Sequence, residues 1–159
     1  MVGRNIVPMA DLRELFEELG HQDVSTYIAS GNVLFRSRAG EAALTRSLER
    51  ALAERFKSPI RVVLRTASEI HRVASRPLPR AFDPDRLHVA FCAAKPKGTL
   101  EPERSPQDSF AFHGREIYFH LPNGVGKTKF SHDYIERRIG VAATMRNWRT
   151  VTTLAERLR

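Results

Sequence analysis

Apolar side chains return every three or four positions at three places in the first half of the chain, a spacing that predicts amphipathic helices. Met9, Leu12, Leu15, Phe16 and Leu19 follow Pro8, which suits a first helical turn, and Gly20 offers the stop. Leu44, Leu48, Leu52 and Phe56 mark a second helix over 41–56, closed by Pro59. Thr66 and Glu69 have capping-box spacing ahead of Ile70, Val73 and Ala74, a third. Between the first two helices, 24–36 is rich in Val, Ile, Tyr and Phe around Ser30, Gly31 and Asn32, which predicts two strands and a tight turn. The β-branched run 60–64 predicts one more short strand.

Pro77, Pro79 and Pro84 interrupt 76–85, so the connection between two halves is expected there, giving an N-terminal α+β half 1–80 and a C-terminal α+β half 81–159. The second half opens with an apolar strand, 87–93, and a loop rich in proline, 95–107. A hairpin then turns at Gly114 and Arg115, pairing His113 with Glu116, Phe112 with Ile117 and Phe110 with Phe119. Alternation puts Phe110, Phe112, Ile117, Phe119 and Leu121 on a core face and Ser109, Ala111, His113, Glu116, Tyr118 and His120 on an opposite, solvated one. Phe130, Tyr134, Ile135 and Ile139 predict a helix ending at Gly140, and Trp148, Val151, Leu154, Ala155 and Leu158 a terminal helix capped by Asn147. The expected class is α+β, with the second half ordered β, loop, β, β, α, α.

At 159 residues with one cysteine, Cys92, the chain excludes an internal disulfide and a cysteine-based metal cluster. No apolar run reaches the roughly 18 residues of a membrane span. Charges at Asp11, Arg13, Glu14, Glu17 and Glu18 break up any signal-like stretch, so the expected location is cytoplasmic. The net charge of +8 favours phosphates, acidic ligands or nucleic acid as partners. Half of it lies in 124–149, where Lys127, Lys129, Arg137, Arg138, Arg146 and Arg149 face only Asp133 and Glu136.

Asn123, Gly124, Val125, Gly126, Lys127 and Thr128 invite a phosphate-loop reading, but Leu121 stands where the first glycine of that motif belongs. A looser anion site, a glycine turn opening a helix beside Lys127 and Lys129, stays open. Trp148 with Arg146, Asn147 and Arg149 could stack a base or clamp a phosphate, although Trp148 also begins an apolar helical stripe. The histidines show no zinc-ligand spacing, and Val89, Ala90 and Phe91 imply that Cys92 is buried. No cofactor or metal is expected.

Five segments, GRNIVPMADLRELFEELG (3–20), DVSTYIASGNVLF (23–35), RLHVAF (86–91), HLPNGVGKTK (120–129) and IERRIGVAATMRNWRTVTTL (135–154), together resemble the bacterial family called domain of unknown function 1697. The resemblance implies an α+β protein of two ferredoxin-like halves and carries no established activity. Family members usually open with a hydrophobic strand and an Arg-Gly-Ile-Asn turn, which this sequence lacks before Val2 and Gly3, so the first half is expected to miss one strand and the start to lie upstream. Val125, Ala142 and Met145 stand where the family commonly has an aromatic, a proline and a threonine. Arg4, Asn5, Ser30, Gly31, Asn32, Lys127, Arg146, Asn147 and Trp148 match positions that mark the family.

The leading expectation is a non-catalytic binding module for a phosphate-bearing ligand or nucleic acid. Lys127, Lys129, Arg146 and Arg149 would make the electrostatic contacts, and Trp148 or Tyr118 the stacking surface. The alternative is an enzyme on a small phosphorylated substrate in a cleft between the halves, with Asn32, His120 or Asp133 as polar or acid-base groups. The chain is expected as a monomer or a weak dimer.

Overall fold

The structure, a computed structural model, describes residues 7–27 and 31–158. The chain is α+β, and it falls into two compact units, Met1–Leu64 and Arg65–Arg159. The division comes ahead of the third helix, not in the proline-rich 76–85 stretch. That helix packs on the C-terminal helix and so belongs to the second unit.

In the first unit, α1 (Met9–Glu18) starts after Pro8 and buries Leu12, Leu15 and Phe16. β1 (Gln22–Tyr27) and β2 (Asn32–Arg36) form a two-stranded antiparallel sheet, Tyr27 opposite Asn32. The register slips between Gln22 and Ser25, where Asp23 has φ of 52°. α2 (Glu41–Phe56) adds Leu48 and Leu52 to a core shared with Val7, Val24 and Ile60. The strand expected over 60–64 does not join a ladder among the described residues. Ile60 is buried in the core, and the Val62 N–H donates to Glu49 Oε2 at 2.8 Å, where a strand partner's carbonyl would otherwise accept it.

The second unit begins with α3 (Ala67–Ala74), whose capping box is the one its sequence spacing predicts. Four strands follow: β3 (Leu87–Cys92), β4 (Ser109–His113), β5 (Glu116–His120) and β6 (Ala143–Asn147). They form one antiparallel sheet in the order β4-β5-β3-β6. The β4–β5 register is the expected one, with His113 opposite Glu116 and Phe110 opposite Phe119. β6 was not foreseen: between Gly140 and the last helix its five residues, Ala-Thr-Met-Arg-Asn, show little apolar alternation. The crossover from β3 to β4 holds only a short 3-10 turn, Pro102–Arg104, whereas that from β5 to β6 carries α4 (His132–Ile139). α5 (Trp148–Arg157) closes the chain.

Strand alternation sorts the sheet into two faces. Ala90, Cys92, Ile117, Phe119 and Ala143 lie on the face that packs with Tyr134, Ile135 and Ile139 of α4. The other face carries Leu87, Val89, Phe91 and Tyr118; α5 packs there on β3 and β6, and α3 packs on α5. On the hairpin face expected to be solvated, Ser109, Ala111 and His113 are exposed and Glu116 and His120 half-buried, whereas Tyr118 is buried, 7% exposed. A lone hairpin could leave that face wet, but here two helices need somewhere to bury their own apolar stripes.

Candidate functional site

The cations that the sequence grouped in 124–149 are not gathered into one place. The Arg138 guanidinium donates to the Thr99 carbonyl at 3.0 Å and lies 3.6 Å from Glu101. Arg146 stands in register with Val89, and Val89 with Tyr118, so it belongs to the sheet face under α5. There it donates to Thr144 Oγ1 at 2.6 Å and to the Met145 carbonyl at 2.9 Å, and burial lowers its pKa. Lys129 leads instead into Phe130, which seals the opposite face against Phe110 and Phe119.

In the glycine turn, some of the backbone N–H groups beside Lys127 and Lys129 are already bonded. The Gly124 N–H donates to the Leu121 carbonyl at 2.9 Å and the Lys127 N–H to the Gly124 carbonyl at 3.2 Å. Those of Lys129 and Phe130 go to Ser105 Oγ at 3.2 Å and Thr128 Oγ1 at 3.1 Å. The Ser105 and Thr128 hydroxyls both donate to Asp108 Oδ2, at 2.5 and 2.6 Å. Four N–H groups of the segment are thus bonded within the loop, and the Lys127 and Lys129 side chains are exposed. Trp148 is 9% exposed and anchors α5, while Asn147 Oδ1 caps that helix by accepting the Thr150 N–H at 2.8 Å. Arg149 points outward in its first turn. Tyr118, the other expected stacking surface, already lies under the Arg76 guanidinium, 4.9 Å from its ring centre.

A cleft does open elsewhere in the second unit, between α3 with the residues after it and the β4–β5 hairpin, with a volume of about 720 Å³. Its cationic wall is Arg72 and Arg76, one helical turn apart, with His71 beside them; Arg115, His113 and Glu116 come from the hairpin. The His71 Nε2–H donates to the Ala155 carbonyl at 2.8 Å, which fixes the ring against α5. Both lining carboxylates are already bridged. Glu69 Oε2 lies 2.8 Å from Arg115 Nη2, and Glu116 Oε2 lies 2.9 Å from Arg65 Nε. Burial alone would raise the Glu69 carboxyl, but the hydrogen bond from the Thr66 backbone and the Arg115 guanidinium, with Arg65 adding to them, outweigh it and hold the pKa below its ordinary value. Among the described residues no carboxylate pairs with Arg72 or Arg76. The cleft joins residues some 40 positions apart, so no local motif announced it. The signal available in the sequence was the spacing of Arg72 and Arg76 just ahead of a helix-ending proline.

The family model for proteins of unknown function DUF1697 matches residues 1–118. The chain belongs to the DUF1697 family. Among solved structures, a conserved bacterial protein, SP0830, from Streptococcus pneumoniae has a similar fold, with a TM-score of 0.72 at 23% identity over 99% of this chain and 92% of that one. Nothing matches among curated proteins.

Of the family-marked positions in this DUF1697 chain, Arg4, Asn5 and Ser30 lie outside the described residues, as does any strand before Val7. Gly31, at φ of 85°, and Asn32, whose Nδ2 donates to the Tyr27 carbonyl at 3.1 Å, close the first hairpin. Met145 packs against the α4 side of the sheet and Val125 is 55% exposed. Among the described residues no group of His, Cys, Asp and Glu is arranged to hold a metal, and no helix is long and apolar enough to cross a membrane.

Proposed function

We propose that this DUF1697 chain is a non-catalytic binding module for a phosphate-bearing ligand, seated in the cleft between α3 and the β4–β5 hairpin. What carries the reading is the charge balance there: Arg72 and Arg76 face the cleft without a carboxylate partner, while Glu69 and Glu116 are each neutralised by an arginine. The volume lies within the range of small-ligand sites. A guanidinium stacked on a ring keeps its edge N–H groups directed sideways, so Tyr118 holds Arg76 ready for an anion.

The enzyme alternative draws less support, because its three groups have other placements. Asn32 closes its own hairpin. His120 stacks on Phe82 at 4.3 Å and accepts the Asp83 N–H at 3.1 Å. The Asp133 side chain is 97% exposed. Calorimetric titration with inorganic phosphate and pyrophosphate at two salt concentrations tests the binding reading. Saturable binding that weakens with salt and is lost in Arg72→Gln/Arg76→Gln is expected. Absence of binding at low salt, or binding untouched by that double substitution, removes it.

A further inference from the structure

The lining of the cleft is mixed in a way that a bare anion does not require, and this narrows the ligand; the argument rests on the binding reading above. Beside the unpaired arginines stand two carboxylates whose oxygens keep acceptor capacity. A carboxylate has about four acceptor sites. Glu69 uses one on each oxygen, from the Thr66 N–H at 2.8 Å and from Arg115. Glu116 accepts from Arg65 Nε on Oε2. Ser68, Ser75 and His113 line the same space, and among the described residues the apolar lining is Val73, Pro77 and Tyr118. Such a wall suits many hydroxyl groups and offers no open aromatic face to a base, since Tyr118 is covered by Arg76.

The same carboxylates argue against a polyanion. A nucleic-acid strand needs cations repeated along its track, whereas among the described residues of the cleft the arginines without a carboxylate partner are Arg72 and Arg76, with Glu69 and Glu116 flanking them. We infer that the cleft takes a small polyhydroxylated phosphomonoester, a sugar phosphate in class. Its phosphate rests on Arg72 and Arg76, and its hydroxyls donate to Glu69 and Glu116.

The test is calorimetry on the full chain with inorganic phosphate, ribose 5-phosphate, glucose 6-phosphate, the two free sugars and a short single-stranded RNA. At least one sugar phosphate is expected to bind about tenfold tighter than inorganic phosphate, the increment of one or two hydrogen bonds to a charged acceptor. The free sugars should bind too weakly to detect. Glu69→Gln, which keeps a side-chain carbonyl for the Thr66 N–H, should remove most of that tenfold preference, read as the ratio of sugar-phosphate to inorganic-phosphate affinity within the variant. Retained phosphate binding also shows that the variant is folded. Equal affinity for phosphate and both sugar phosphates, or RNA binding tighter than either sugar phosphate, overturns the sugar-phosphate assignment while the anion seat stands. Failure of phosphate and sugar phosphates alike overturns both.

Discussion

Arg65 is the cation on which the floor of the cleft depends, and its removal has a magnitude that follows from its neighbours. Its side chain is 4% exposed and its partner Glu116 14%. Nε bonds Glu116 at 2.9 Å, and Nη2 donates to the carbonyls of Cys92 at 2.8 Å and Arg115 at 3.0 Å. The Arg115 carbonyl also receives the Cys92 N–H at 2.8 Å, so it stays satisfied without the guanidinium. Arg65→Met therefore strands one nearly buried carboxylate and one carbonyl, and it gives up the guanidinium's place 5.6 Å from the Phe91 ring centre. Breaking one side of a buried ion pair costs about 3–5 kcal/mol. In a unit of this size that is a fall in Tm of roughly 10 °C or more. Denaturant unfolding of wild type, Arg65→Met, Glu116→Leu and the double variant measures the coupling. The double variant should recover part of the loss, because no charge is then left alone in the sheet. A cost below about 1 kcal/mol for Arg65→Met would refute the reasoning, since it would mean that water reaches Glu116 freely.

Burial pushes the Cys92 thiol up to about 11, with Arg65 opposing, so at pH 8 the native chain should react with a thiol reagent only as fast as it opens. Rapid stoichiometric labelling under native conditions would contradict the burial of β3. Burial lowers the pKa of His21, set between Phe16 and Phe35, and that of His88, chiefly by desolvation, with the Arg86 carbonyl opposing and its charge assisting. The unfolded rings bind protons first on acidification, so the stability that both contribute is complete above about pH 6.5 and is lost as pH falls through their lower folded values. Melting followed by circular dichroism between pH 7.5 and 5 should show this fall, reduced in His21→Phe; an unchanged slope in that variant would exclude His21 as a source.

Sequence reading reached furthest where the determinants are local. Thr66 and Glu69 are three apart, and the box they form is purely a matter of that spacing. The β4–β5 register followed from one glycine turn and an alternation that only one pairing satisfies. Local reasoning failed where a partner distant in sequence decides. β6 has too little alternation of its own to stand out and is held by pairing with β3. Ile60–Leu64 has strand-like residues, and among the described residues it joins no ladder, the Val62 N–H going to Glu49 of α2. Tyr118 alternated correctly onto the side of the hairpin away from α4, but nothing in the hairpin says that the Arg76 guanidinium lies over its ring. The same limit hid the cleft, whose two walls are far apart along the chain, and made the cations of 124–149 look like neighbours when the sheet stands between α4, which carries Arg137 and Arg138, and the face that Arg146 joins.

Glu69 does two tasks with one carboxylate, completing the first turn of α3 and gripping Arg115 at the tip of the hairpin. The walls are held together by this carboxylate, by Arg65 on Glu116 and by Arg76 on Tyr118. Of these ties, the one through Glu69 couples the rim of the cleft to a helix start, because the same group that holds the hairpin also accepts the Thr66 N–H.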